Sequence, residues 1–348
     1  MWYEGFKEQV VNLQSEEEKK QLQRFLERQN LSLDKDLEYS VALFDGDRMI
    51  ASGSFGGRIL KCIAVDESYK NMGLSAIIVT HLVREAYSRG RTHLFVYTKP
   101  ENKTIFHELG FYDIAEVESK VILMENRPDG IKRYLEEITK DGIDKEDSAA
   151  IIMNCNPFTL GHRYLIEYAA VRCKMLHVFV LWEEKSSFPA DIRYKLVKEG
   201  ISHLSNVVLH KGRDYIISDA TFPSYFIKEY QDPVEIHARL DLKVFTQYIA
   251  PAIGIKKRFV GEEPYCKVTS TYNAIMQEIL PIFGIKVEVV PRMAIEGQPI
   301  SASRVRELIR EGKLQEVKAL VPDTTYQFIL SPEAEGIIKC IQSNGQRH

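Results

Sequence analysis

The stretch "NCNPFTLGHRYLIEYAA", Asn154 to Ala170, gathers Asn156, Pro157, Phe158, Thr159, Gly161 and His162 where a hydrophobic strand gives way to a helical pattern. Pro157 stiffens the turn, Gly161 lets backbone approach closely, and the free amides of a helix start favour an anion. A phosphate fits. A second polar corner, "ISASRVREL", begins at Ile300. There Ser303 and Arg306 lie one helical turn apart, so a hydroxyl and a guanidinium can face the same anion. Ser301, at the helix start, reads as a cap as well as a candidate phosphate donor. The two corners lie about 140 residues apart, the typical extent of one domain. Phosphoryl and nucleotidyl transfer need charge on phosphate oxygens neutralised in place and little covalent help from the protein. Donors of these types suit that chemistry.

Two domains must position them, since 348 residues with 45% hydrophobic content suffice for two cores. The net charge of -3, from 46 basic and 49 acidic side chains, gives no general reason to bind nucleic acid or an anionic membrane. Five scattered cysteines without CxxC spacing fit a reducing compartment. With no signal pattern or long apolar run, the expectation is a cytoplasmic protein. In residues 1–127, "EYSVALFDGDRMIASGSFGG" reads as a hairpin, followed by strand "RILKCIAV", helix "SAIIVTHLVREAYSRG", strand "THLFVYTKP" and helix "NKTIFHELGF". Residues 128–147 read as a linker helix with an apolar stripe of Ile131, Tyr134, Leu135 and Ile138. Residues 148–331 alternate strand and helix, which predicts a parallel sheet with ligands at the strands' carboxyl ends. Residues 332–348 read as a polar tail. The fold class is therefore α/β.

The Thr-x-Gly-His spacing and the ISxSxxR pattern together resemble the nucleotidyltransferase superfamily, which implies a Rossmann-like domain of the HxGH type with a parallel sheet. By that resemblance Thr159 and His162 hold ATP around its α-phosphorus, and Ser303 and Arg306 hold the departing β- and γ-phosphates. Asn156, Pro157, Phe158, Gly161 and Ser301 complete the cradle, while Lys185 in "WEEKSSFP" matches a basic residue that reaches the triphosphate. Gly261, Glu263 and Tyr265, after strand "KRFVG", lie where the purine is expected. The stretches "KSSFPADIRYKLVKEG", "HARLDLKVF" and "IAPAIGIKKRFVGEEPY" extend the likeness: nearly the whole chain resembles the citrate lyase ligase family. That implies an AMP-forming acid–thiol ligase. Acetate attacks ATP to give acetyl-adenylate and pyrophosphate. The prosthetic-group thiol of the citrate lyase acyl carrier subunit, on phosphoribosyl-dephospho-CoA, then takes the acetyl group. Mg²⁺ is expected to arrive with ATP, without a protein metal site of its own. Cys155 is expected to be a buried thiol, not a nucleophile, and Asp241 to be structural. The alternatives are an adenylyltransferase acting on nicotinamide mononucleotide or phosphopantetheine, which uses the same motifs, an acetate ligase acting on tRNA, and a non-catalytic acyl-CoA or nucleotide sensor.

"VDESYKNMGLSAIIVTHL" and "FHELGF" resemble the GNAT acetyltransferase family, implying a GNAT-like α+β domain at the amino end. Its pyrophosphate loop matches Lys70, Asn71, Met72, Gly73, Leu74 and Ser75, with Lys replacing Gln or Arg and Ser replacing Gly or Ala. The favoured reading is a docking site for the CoA-like arm of the carrier, beside those of an active acetyltransferase and a degenerate scaffold. Reversing charge at Lys70, or placing a bulky residue at Gly73, is expected to slow acetyl transfer to the carrier thiol and spare acetate-dependent exchange of pyrophosphate into ATP. Equal loss of both steps removes this role.

Overall fold

The computed structural model describes residues 5–140, 146–183, 185–217, 222–223, 225, 233–263 and 266–343. The chain divides into two compact units, residues 1–134 with 222–243, and residues 135–221 with 244–348. The sequence marks no boundary around 222–243, because nothing in its composition sets that segment apart from its neighbours.

The first unit is a seven-stranded sheet of β1 (Lys7–Val10), β2 (Tyr39–Asp45), β3 (Arg48–Gly56), β4 (Ile59–Val65), β5 (Phe95–Thr98), β6 (Tyr112–Val117) and β7 (Val121–Glu125), in the order β1-β2-β3-β4-β5-β7-β6. All pairs are antiparallel except β4 with β5. With it go α1 (Glu16–Arg28), α2 (Leu74–Ser88), α3 (Lys103–Glu108) and the start of α4 (Gly130–Ile138). The expected β2–β3 hairpin turns at Gly46, where φ is +57°, a conformation glycine adopts without strain. Leu74, Ile78, Leu82 and Ala86 form the buried stripe of α2. Gly53 in β3 lets this helix sit close, since a Cβ there would lie 2.3 Å from Ile78. Strands β1, β6 and β7 and helix α1 go beyond what the sequence reading placed.

The second unit has a five-stranded sheet: β8 (Ser148–Met153), β9 (Met175–Val180), β10 (Val207–Lys211), β11 (Ile255–Gly261) and β12 (Lys286–Val290). Its order is β10-β9-β8-β11-β12 and every pair is parallel, as the alternation predicts. One face packs on α5 (Leu160–Ala170), α6 (Ala190–Gly200), α10 (Ala302–Arg310), α11 (Leu314–Val317) and α12 (Asp323–Leu330) through a core holding Phe158, Ile166, Leu196, Leu308, Val317 and Phe328. Burying one such phenyl ring stabilises by about 2–3 kcal/mol. The other face meets the helical run that follows α7 (Pro233–Val244), namely the wider π-turn Phe245–Ile249 and α8 (Ala250–Ile253), and α9 (Lys267–Ile279). A short hairpin, β13 (Ala294–Ile295) with β14 (Gln298–Pro299), leads into α10. The expected polar tail is instead helical over α13 (Glu335–Ser343), because Ala334 and Ile341 reach the same core. The apolar residues of this short stretch stand among polar and charged ones, a pattern too brief to read as a helix in advance. Among the described residues no helix is long and apolar enough to cross a membrane.

Connections run from β8 outward to β9 and β10, then return across to β11 and β12, so the order reverses between β8 and β11. Ligands of open parallel sheets bind at that point, beyond the strands' carboxyl ends. The Asn154–Thr159 turn leaves β8 there.

Two buried histidines bear on stability. His177 of β9 and His210 of β10 stack, with Nδ1 2.9 Å from Nε2. Burial lowers their pKa values to about 4 and about 3, the second helped by the charge of the first. Both are neutral when folded, and the unfolded chain binds their protons near pH 6.5. Their contribution is thus complete above pH 6.5 and lost as pH falls toward 4 and 3, at up to about 1.4 kcal/mol per pH unit for each. Thermal melts across pH 3.5–7.5 should show this decline, reduced in His210→Asn.

Candidate active site

Helix α5 starts where Thr159, in extended conformation, turns the chain into its first helical turn. The Thr159 hydroxyl accepts the His162 N–H at 3.3 Å, and the Thr159 N–H donates to His162 Nδ1 at 3.1 Å. A backbone N–H can only donate, so Nδ1 accepts and the ring proton sits on Nε2. The ring stacks on Phe158 with centroids 6.0 Å apart and planes at 12°. Burial, then the charge of Arg292, depresses its pKa to about 4. His162 is therefore a neutral hydrogen-bond donor with a fixed tautomer.

The amides expected to be free at this helix start are mostly spent. Leu160 N–H donates to Leu320 O at 2.9 Å and His162 N–H to Thr159, leaving that of Gly161 without a partner among the described residues. The bare Cα of Gly161 also admits α10: a Cβ there would lie 3.3 Å from the Ile300 carbonyl.

Arg306 joins the two corners. Its Nη1 donates to Asn156 O at 2.5 Å and its Nη2 to Ser303 Oγ at 3.3 Å. Arg306 is 8% exposed, and burial followed by the charge of Arg310 lowers its pKa. Thr159, Gly161, His162, Ser303 and Arg306 thus meet at one corner. Ser301 caps α10, its Oγ accepting the Arg304 N–H at 3.1 Å.

Other expected ligands hold the frame. Asn156 is buried, its Oδ1 accepting Phe188 N–H at 2.9 Å, and Pro157 follows it through a cis peptide bond. Phe158 is fully buried against Gly200, where a Cβ would lie 2.5 Å from its ring. Beyond β11, a Cβ on Gly261 would meet open space. The carboxylate of Glu263 is ion-paired with Arg292 and accepts the Cys266 N–H at 3.1 Å. Tyr265 lies outside the described residues, and Lys185 is exposed on the loop after β9. Cys155 is buried, with its thiol pKa pushed up by desolvation, and Asp241 is buried on α7. In the first unit the Lys70–Ser75 loop is exposed up to Gly73, and Leu74 turns into the core. Asn71 and Gly73 have φ of +65° and +73°, and Lys70 pairs with Glu67 at 2.7 Å. Among the described residues no cluster of three or more His, Cys, Asp or Glu is arranged to hold a metal.

Residues 148–329 match the family model described as the citrate lyase ligase C-terminal domain. A [citrate [pro-3S]-lyase] ligase from Klebsiella pneumoniae is 41% identical over 325 residues, 92% of this chain and 95% of that protein. The chain belongs to the citrate lyase ligase family. Another member, from Escherichia coli K12, is 40% identical, covering 89% of each chain. Among solved structures, Escherichia coli ElaA aligns with 35% of this chain and 99% of its own, at 12% identity and a TM-score of 0.33.

Two arginines that the motifs do not include bear on these residues. Arg292, after β12, donates from Nε to Glu262 O at 2.7 Å, and its charge is felt at His162. Arg193 of α6 is fully buried. It donates to the carbonyls of Phe188, Asn154, Leu181 and Glu183 and to Asn154 Oδ1, at 2.6–2.9 Å. Asn154 in turn donates to Glu183 at 3.0 Å and Ser186 at 3.2 Å. The available signal for Arg193 was its place on the inner stripe of α6 with Ala190, Leu196 and Val197. Arg193→Met should leave several buried carbonyls unpaired and lower stability by about 3–5 kcal/mol. Denaturant unfolding measures this, and Arg193→Lys, which cannot span the same acceptors, should recover little.

Proposed function

We propose that this chain activates acetate with ATP and passes the acetyl group to the thiol carried by the citrate lyase acyl carrier subunit. Family membership supports the substrates. The observation that carries the chemistry is the bond from Arg306 to the Asn156 carbonyl, which ties the second polar corner to the turn that leads into His162. Acetate is already an anion, so the first step needs no general base. Its oxygen bonds to the α-phosphorus while the bond from that phosphorus to the pyrophosphate oxygen breaks. His162 donates Nε2–H to the phosphate under attack, and the Gly161 amide adds a second donor. Ser303 and Arg306 neutralise the leaving pyrophosphate, and Arg292 adds positive charge on the β12 side. Mg²⁺ carried by the triphosphate would supply further neutralisation of its charge. In the second step the thiolate sulfur attacks the acetyl carbon, and the carbon–oxygen bond to AMP breaks. The first unit's Lys70–Gly73 loop receives the CoA-like arm that delivers this thiol.

A preset neutral donor suits this role because it stabilises charge on phosphate oxygens without surrendering its proton. His162→Ala is expected to reduce acetate-dependent pyrophosphate–ATP exchange by ~10²–10³. With a pKa near 4, His162 does not titrate between pH 5.5 and 9. The exchange profile of His162→Asn should therefore keep the parent's shape over that range. A limb near pH 6–7 that vanishes in the variant would show instead that the imidazole shuttles a proton.

A further inference from the structure

The face of the parallel sheet opposite the Phe158 core carries a buried polar row. In register across it stand Val208 of β10, His177 of β9, Ala150 of β8, Arg258 of β11 and Val287 of β12. Residues in register share a face, here the one opposite Ala149, Leu176 and Phe259 of the core. His177 and Ala150 are fully buried and Arg258 is 2% exposed. His177 directs Nδ1 at His210 on the β10 side. Its Nε2 is buried without a hydrogen-bond partner among the described residues.

Beyond Ala150, the Arg258 guanidinium lies 4.7 Å from the Phe245 ring centroid and 5.9 Å from that of Tyr272. Its Nη2 donates to the Tyr272 hydroxyl at 3.4 Å, while Nε and Nη1 have no acceptor. Among the described residues no carboxylate pairs with it. Aromatic faces supply a buried guanidinium with about 2 kcal/mol. Desolvation of such an ion costs several, and a ring face satisfies none of the idle N–H groups in their own plane. Something bearing negative charge and accepting hydrogen bonds answers both deficits. Ala150 has the shortest side chain of the row and stands in register between the two unsatisfied groups, which favours a small ligand.

We propose that this row is a binding site for a small monovalent anion, a halide or a short-chain carboxylate, held by Arg258 and His177 over Ala150. It is separate from the phosphate corner: Ala150 precedes the end of β8 by three residues, about 10 Å of strand. The proposal does not depend on the ligase reading.

The test uses the full chain. Crystals soaked in bromide should show an anomalous peak beside the Arg258 guanidinium, above Ala150. Thermal melts at constant ionic strength, with chloride or acetate replacing gluconate, should show a saturable rise in the parent that is lost in Arg258→Met. A rise with chloride alone narrows the site to halides, and a rise with acetate extends it to carboxylates. If Arg258→Met does not fold, the bromide soak of the unaltered chain decides. No peak in the row overturns the proposal, leaving water as the occupant, and a melting rise that persists unchanged in a folded Arg258→Met does the same.

Discussion

The Arg193 guanidinium organises the second unit more than any single apolar contact. Five donor groups in a rigid plane meet carbonyls from the loops after β8 and after β9, and only arginine has the reach and fork to do so. A buried charge is costly unless its hydrogen bonds are satisfied, so these loops are held to the geometry that satisfies them. Asn154 is thereby fixed, and Asn156 is fixed two residues later through Phe188. The cap of Thr159 over His162 stands on that foundation. Preorganised hydrogen-bond donors have their positions set in advance, and here a buried side chain behind the loop fixes the residues of the candidate site.

The corner that results is economical with its free groups. Two of the three first-turn amides of α5 donate to neighbours, while Asn156 and Ser301 are held through oxygens that accept the Phe188 and Arg304 amides. What remains is the Nε2–H of His162, the Gly161 amide and the exposed Ser303. Such engagement is a gain in rigidity, since a side chain bound to its neighbours loses little further freedom when a ligand arrives.

The strand and helix alternation of the second unit was legible because parallel strands buried on both faces give short apolar runs. Its candidate site was read where polar residues interrupt those runs locally, at Thr159–His162 and Ser301–Arg306. Arg258 and Arg292 were not, because a lone arginine in an amphipathic segment has the same appearance whether its guanidinium faces water or carbonyls, and Arg193 showed only through its place on the inner stripe of α6. Phe158 was misjudged for the converse reason: a residue between ligands in sequence can point beneath them in space. In the first unit, β6 and β7 were hidden because their short apolar runs abut a charged stretch. Tyr265 belongs to neither account, lying outside the described residues.

The allocation of residues 222–243 to the first unit makes the chain's path between units a matter of topology. The backbone passes from one to the other three times, at 134, at 221 and at 243. No single truncation can then yield either unit whole. A fragment beginning at Ser148 carries an orphaned piece of its neighbour, and one ending at Tyr134 lacks that piece. Synthesis on the ribosome meets the same condition, for the amino-terminal unit is complete only after β8, β9 and β10 have emerged.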